Sequence, residues 1–307
     1  MFLIISTIVA IVVIGLLARV QNAPRERPTS KNVQGVASIY PLAEFVQHVG
    51  GGHVEVISLT PPGTEPHDFN PTPQDRVTIE QAHFLVFVGA GFEPWLERII
   101  PDLNAITLLE ASQGIPLLPA IAGGEHDREE KNVFDPHILT DPVLAQQIVD
   151  TIAKTLITID PANTAVYQEN STRYTEQLQH LDSEFADSLA SCETREFITS
   201  HAAFAYLAKR YHLVQVPIAG LHEEEPSPER LAEIVNIIKA KNIRYIFLEA
   251  VTGNSTIVET IAKETDAMML SIQPPEDVTQ EDIQQGKTYI DLMQANLANL
   301  RLALGCH

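Results

Sequence analysis

Cysteine is almost missing from this chain: Cys192 and Cys306 are the only two in 307 residues. They are too few for a cysteine-based zinc site and too far apart for a CxxC motif. An oxidising compartment would let them form a disulfide, the alternative being two unpaired thiols near helix ends. Basic residues are also scarce, 20 Lys+Arg against 40 Asp+Glu, for a net charge of -20. Such a surface repels nucleic-acid phosphates and attracts cations, so no DNA or RNA partner is expected. No HExxH helix, nucleophile elbow or phosphate-binding glycine loop occurs, which removes the usual sequence signs of hydrolysis and nucleotide chemistry. No enzymatic role is expected.

What is present begins with an unbroken apolar run over residues 1–18, with Arg19 as the first charge. It reads as an export signal or a retained membrane anchor. It has no basic start and no small-x-small cleavage site, and its length is near the lower limit of roughly 17 residues for a spanning helix. Residues 24–32, rich in proline and charge, read as an exposed linker. The remainder is expected outside the cytoplasm, periplasmic or at the cell surface, as a monomer with a possible membrane tether through residues 1–18.

Three of the eleven histidines stand in distinctive settings: His67 in Glu65-Pro-His-Asp, His137 in Asp135-Pro-His-Ile and His201 in Thr199-Ser-His-Ala. Proline before His67 and His137 restricts the backbone and aims the next side chain reproducibly. His201 follows a strand-like run and precedes a helical one, the junction at which open α/β sheets place their ligands. Separations of about 65 residues exceed any zinc-finger spacing, so a shared site would have to be assembled by the tertiary fold. Three imidazoles meeting at one point would hold a metal ion. His48, His53, His83, His180, His212 and His307 read as ordinary surface or hydrogen-bonded residues.

Short β-branched runs at 36–39, 54–59, 84–89, 214–218, 244–249 and 268–272 alternate with helical patterns, which predicts βα units on parallel sheets. Between the two sets, Asp160-Pro161 reads as a helix start. From there Tyr167, Tyr174, Leu178, Leu181, Phe185 and Leu189 recur as one amphipathic stripe. The fold class is α/β. The expected divisions are 1–32 (signal or anchor plus linker), 33–158 (first lobe), 159–192 (connecting helix) and 193–307 (second lobe).

The motifs Ala37-Ser-Ile-Tyr-Pro-Leu, Pro62-Gly-Thr-Glu-Pro-His-Asp-Phe, Asp135-Pro-His-Ile-Leu-Thr-Asp-Pro, Glu225-Pro-Ser-Pro, Phe247-Leu-Glu and Gly286-Lys-Thr-Tyr-Ile-Asp-Leu occur in that order. In this combination the chain resembles the zinc and manganese receptors of ABC transporters, solute-binding protein family 9 (cluster A-I), from about residue 36 to 304. The resemblance implies two lobes, each a mostly parallel sheet flanked by helices, joined by one long rigid helix that limits domain closure. It implies His67, His137 and His201 as metal ligands and a membrane permease as partner. Many relatives are acylated on a cysteine after the signal, but none lies between Met1 and Ser191.

The family's usual fourth ligand is an aspartate in the loop after the last strand. Alignment puts Gln273 there, with Glu276, Asp277 or water as alternatives. Ala202 stands where relatives often carry an acid, so the support behind His201 is expected to differ. The stretch 123–132, with Glu125, His126 and Asp127, resembles a rudimentary form of the acid- and His-rich loop of zinc receptors; an ordinary solvated loop is the alternative. Nitrogen-rich coordination points to Zn2+ as the transported ligand ahead of Mn2+. The alternatives are a Mn2+ receptor, an adhesin on the same scaffold and, more remotely, a zinc hydrolase with Glu249 as base.

Overall fold

Phe84–Phe87 is a run of four apolar residues, all buried. A strand without a solvent face needs cover on both sides, the situation of a parallel sheet between helices. The computed structural model describes residues 32–121, 133–221, 225–251 and 255–307, and it supplies that cover. Strands β1 (Val33–Ala37), β2 (Val54–Ser58), β3 (Phe84–Phe87) and β4 (Thr107–Glu110) form one sheet in the order β2-β1-β3-β4. Strands β5 (Glu196–Thr199), β6 (Val214–Pro217), β7 (Tyr245–Leu248) and β8 (Met268–Ser271) repeat that order as β6-β5-β7-β8. Every neighbouring pair is parallel. The two-sheet α/β class expected from the sequence is therefore present. β4 was missed because it is an edge strand with two of its four residues exposed, leaving little apolar pattern. The N-terminal apolar run, the 123–132 loop and residues 222–224 lie outside the described residues. No helix among the described residues is long and apolar enough to cross a membrane.

The nine helices named here are α1 (Tyr40–Gly50), α2 (Pro73–Gln81), α3 (Pro142–Ile159), α4 (Thr164–Ser188), α5 (Ala205–Arg210), α6 (Pro228–Lys241), α7 (Ser255–Thr265), α8 (Gln280–Gln285) and α9 (Tyr289–Leu304). Strand periodicity sorts side chains between layers. Leu85 and Phe87 pack with Trp95 and Ile99 on one side of the first sheet, while Phe84 and Val86 face the main core. In the second sheet Ile198 and Ile246 pack with Ile234, Ile238 and Ile261 of α6 and α7, while Phe197 and Phe247 face that same main core. One apolar core therefore runs from sheet to sheet.

The connecting stripe forms as expected, though a short turn at Pro161–Asn163 precedes α4. Its 25 residues reach about 37 Å at 1.5 Å per residue. Tyr167, Tyr174, Leu178, Leu181 and Phe185 are its buried residues. Glu44 of α1 fixes this helix against α9: its Oε1 accepts from Tyr174 Oη at 3.2 Å and its Oε2 from the Tyr289 N–H at 2.7 Å. The second contact lies at a helix N-terminus, where the backbone dipole favours negative charge. At the C-terminal end of α6, Asn242 closes the helix in the left-handed conformation; at its start Ser227 caps it, accepting from the Arg230 N–H.

Cys192 and Cys306 form a disulfide that closes on a sequence separation of 114, enclosing the whole second sheet. A bridge across so long a loop restricts the unfolded chain, worth about 2–5 kcal/mol in comparable cases. The double variant C192S/C306S is expected to lose stability on that scale in urea unfolding, and an unchanged midpoint would contradict it.

β3 ends in a tight turn at Gly89, φ 82°, where a Cβ would fall 2.4 Å from Glu110 Oε1. Buried Glu93 closes this turn, accepting from the N–H groups of Val88 (2.7 Å) and Gly89 (3.0 Å). Burial nevertheless pushes its carboxyl up to about 7 from 4.5, the hydrogen bonds only partly opposing it. The folded protein thus holds this proton more firmly than the unfolded chain, so ionising Glu93 costs stability as pH rises from about 4.5 to about 7. Urea unfolding of wild type and E93Q at pH 5 and pH 7.5 is expected to show wild type gaining relative to the variant at the lower pH. A pH-independent difference would contradict it.

Candidate metal centre

In sheets ordered this way, the gap between β1 and β3, or between β5 and β7, opens at the carboxyl ends of the strands, and ligands bind in that crevice. The segments that follow strands carry the polar residues in question: His67 after β2, His137 after β4, His201 after β5, Glu249 after β7 and Glu276 after β8. Residues far apart in sequence are thereby brought to one place.

His67 Nε2 lies 3.2 Å from His137 Nε2. Two nitrogens bound at about 2.0–2.1 Å to one tetrahedral ion would stand about 3.3 Å apart, so this spacing suits a shared ion. The His137 and His201 rings follow, with centroids 5.4 Å apart and planes inclined at 67°. The structure thus brings the three sequence-predicted histidines together. His137 and His201 are buried, and half-buried His67 packs its ring on Phe92, centroid to centroid 4.3 Å. Phe92 belongs to the turn closed by Glu93, so the hydrophobic wall of the site is fixed by β3.

Behind two of the rings stand carboxylates. Asp135 Oδ1 accepts from the His137 backbone N–H at 2.9 Å and lies 2.8 Å from its Nδ1. With the ring proton on Nδ1, Nε2 presents its lone pair to the site. Glu249 Oε2 sits directly against His201 Nδ1, and Oε1 accepts from Ser200 Oγ and from the His201 N–H at 3.2 Å. Glu249 therefore supplies the support expected to be altered by Ala202. These contacts place Glu249 behind His201 as a group that orients its ring. Sequence reasoning had Asp135 only as part of a motif and did not give it this role; an acid two residues before a histidine was the available sign.

Gln273 is engaged within its own loop and with α8 and α9. Its Nε2 donates to the Asp277 carbonyl and, at 3.0 Å, to Asp282 Oδ2, while its backbone pairs with the Asn296 side chain. The Gln273 amide thus holds the loop. Asp282 also caps α8 and meets Lys287 Nζ at 2.7 Å. Although burial raises its carboxyl, the bonds from Lys287, Thr279 and Gln273 prevail and hold it well below the ordinary carboxylate value.

That loop presents Glu276 instead. Its Oε1 is 3.9 Å from His137 Nε2, the residue is 6 % exposed, and neither carboxylate oxygen has a hydrogen-bond partner among the described residues. Burial raises this carboxyl above the usual range, against the opposing field of His137 and His201. A buried, unbonded carboxylate is costly unless a cation balances it. Neighbouring Asp277 is also buried; desolvation first, then the charges of Glu65, Glu276 and Glu249, hold it well above its ordinary value.

The second sheet's helices grip the His137 segment. Tyr206 Oη donates to the Asp135 carbonyl at 2.7 Å and accepts from the Leu118 N–H at 3.0 Å. Tyr289 Oη donates to the Leu139 carbonyl at 2.8 Å, and the Gly63 N–H near His67 donates to the Val278 carbonyl at 2.8 Å. Both loops from the first sheet are thus hydrogen-bonded to elements associated with the second.

The family model for zinc-uptake complex component A, periplasmic (ZnuA), matches residues 36–303. The high-affinity zinc uptake system protein ZnuA of Bacillus subtilis (strain 168) is 35% identical over 281 residues, covering 88% of this chain and 86% of that protein. The zinc-binding lipoprotein AdcA of Streptococcus pneumoniae is 34% identical over 274 residues, 87% of this chain; the chain spans about half of that longer protein, 54%. Among solved structures, the Zn(II)-bound ZnuA-like domain of Streptococcus pneumoniae AdcA is 33% identical with a TM-score of 0.77, covering 89% of this chain and 99% of that one. The laminin-binding protein Lmb of Streptococcus agalactiae, described as a bifunctional adhesin and metal transporter, is 30% identical with a TM-score of 0.79, covering 89% and 100%. Sequence match, fold and strand-end histidines agree, and the chain belongs to the ZnuA family of zinc-uptake components.

Proposed function

We propose that this protein is an extracytoplasmic receptor that binds one Zn2+ through His67, His137, His201 and Glu276 and delivers it to the permease of an ABC transporter. The observation that carries this reading is the 3.2 Å approach of the His67 and His137 Nε2 atoms beside the unbonded carboxylate of Glu276. Three imidazoles and a carboxylate form a tetrahedral set of the kind zinc takes, and nitrogen donors favour it over manganese. Asp135 and Glu249 act through the histidines, fixing which nitrogen faces the ion. The chain works as a monomer, and residues 1–18 export it or tether it. Adhesion is a second reading, motivated by the likeness to Lmb; binding to immobilised laminin separates the two.

The purified protein is expected to bind one zinc ion per chain, more tightly than manganese in competition titration. Replacing His67, His137, His201 or Glu276 by alanine removes a direct bond and should cost more than the about 10–100-fold typical of losing an orienting partner, the scale expected for D135N or E249Q. Tighter manganese than zinc binding, or an unchanged zinc affinity in H201A, would overturn the assignment.

Ligating imidazoles must be neutral and ligating carboxylates ionised, so protons compete with the metal at every donor. Affinity is expected to fall as pH drops from 7 to 5, with more than one proton released per zinc bound. Isothermal titration in buffers of different ionisation enthalpy measures that number, and a flat affinity across the range contradicts the four-ligand set.

A further inference from the structure

We propose that Asp277 is a second oxygen donor to the ion held by the three histidines and Glu276, and that it broadens the site toward metals that prefer higher coordination numbers. The inference rests on the metal-receptor reading above and concerns a residue that reading leaves without a role. Asp277 is 3 % exposed, and its Oδ2 has no hydrogen-bond partner among the described residues. Its backbone is fully engaged: the N–H donates to the Pro274 carbonyl at 3.0 Å and the carbonyl accepts from Gln273 Nε2. The loop is thus held here through the Asp277 main chain, with no hydrogen bond to Oδ2 among the described residues. The next residue, Val278, is pinned by its carbonyl to Gly63 at 2.8 Å, which draws this turn against the loop that carries His67.

Charge counting points the same way. Of the buried carboxylates near the rings, Asp135 and Glu249 each set one oxygen against a ring nitrogen, whereas both Glu276 oxygens and Asp277 Oδ2 meet no donor among the described residues. Two buried carboxylates side by side repel each other and lose hydration, so in the ionised form they call for a cation between them. One divalent ion carries the charge that balances the two. Three nitrogens and two or more oxygens then make five or six donors. Zinc is content with four, whereas manganese and other oxygen-preferring ions take more and gain from the added carboxylate.

The test uses the full chain, with Zn2+, Mn2+ and Co2+ as probes, comparing wild type with D277N and D277A. Manganese affinity is expected to fall by about tenfold or more in both variants, while zinc affinity falls by a smaller factor, raising the zinc-to-manganese ratio. Visible absorption per bound Co2+ should increase in the variants, because four-coordinate cobalt absorbs more strongly than five- or six-coordinate cobalt. A purely structural role for Asp277 would leave the cobalt spectrum unmoved and change both affinities together; that result overturns the proposal. Since Asp277 Oδ2 accepts no hydrogen bond among the described residues, D277N is expected to fold; if it does not, D277A supplies the same two readouts. H137A separates the two levels of inference. If H137A loses zinc while the Asp277 variants match wild type, only this proposal fails. If H137A keeps tight zinc binding, the site reading itself fails.

Discussion

Everything in this molecule hangs on one apolar core shared by two parallel sheets. Phe84 and Val86 from one sheet and Phe197 and Phe247 from the other face the same layer of α1, α3, α4 and α9. Close-packed interiors deform little, so the crevice between the strand ends keeps its shape. Only because that frame is rigid can His67, His137 and His201, carried on separate loops, gather in one crevice. The same rigidity makes loop and side-chain movement a more economical route to metal exchange than wide opening of the sheets.

A buried metal site must also satisfy its own polar atoms, and here the solution is layered. Asp135 and Glu249 take up the Nδ1 atoms of His137 and His201, which leaves each Nε2 as the nitrogen open to another partner. Phe92 walls off His67 on the side of β3. The hydrogen bonds of Tyr206 and Tyr289 reach across to the segment that carries His137, so the histidine is held from both sides of the crevice.

Much of this was legible beforehand. β3 and β7 are continuous apolar runs, and the stripe on α4 repeats with helical spacing, so both announced themselves through periodicity. β4 did not, being a half-exposed edge. The three histidines stood out because proline or a strand-to-helix junction fixes the backbone beside them. The role of Gln273 was beyond sequence pattern: an amide that bonds a carbonyl four residues on and an aspartate nine residues on looks, in a linear text, like an aligned ligand. Glu276 could be suspected from its neighbourhood, but its burial and its lack of a hydrogen-bond partner among the described residues emerge only when the 61–67 and 273–278 loops meet.

Tyr206 and Tyr289 hold the 135–139 segment through main-chain carbonyls, groups that every residue type provides. The grip is therefore indifferent to which side chains the segment bears. Substitutions at these positions can retune what the crevice accepts while the path of the chain stays constant, which separates the evolution of ion preference from the evolution of the scaffold.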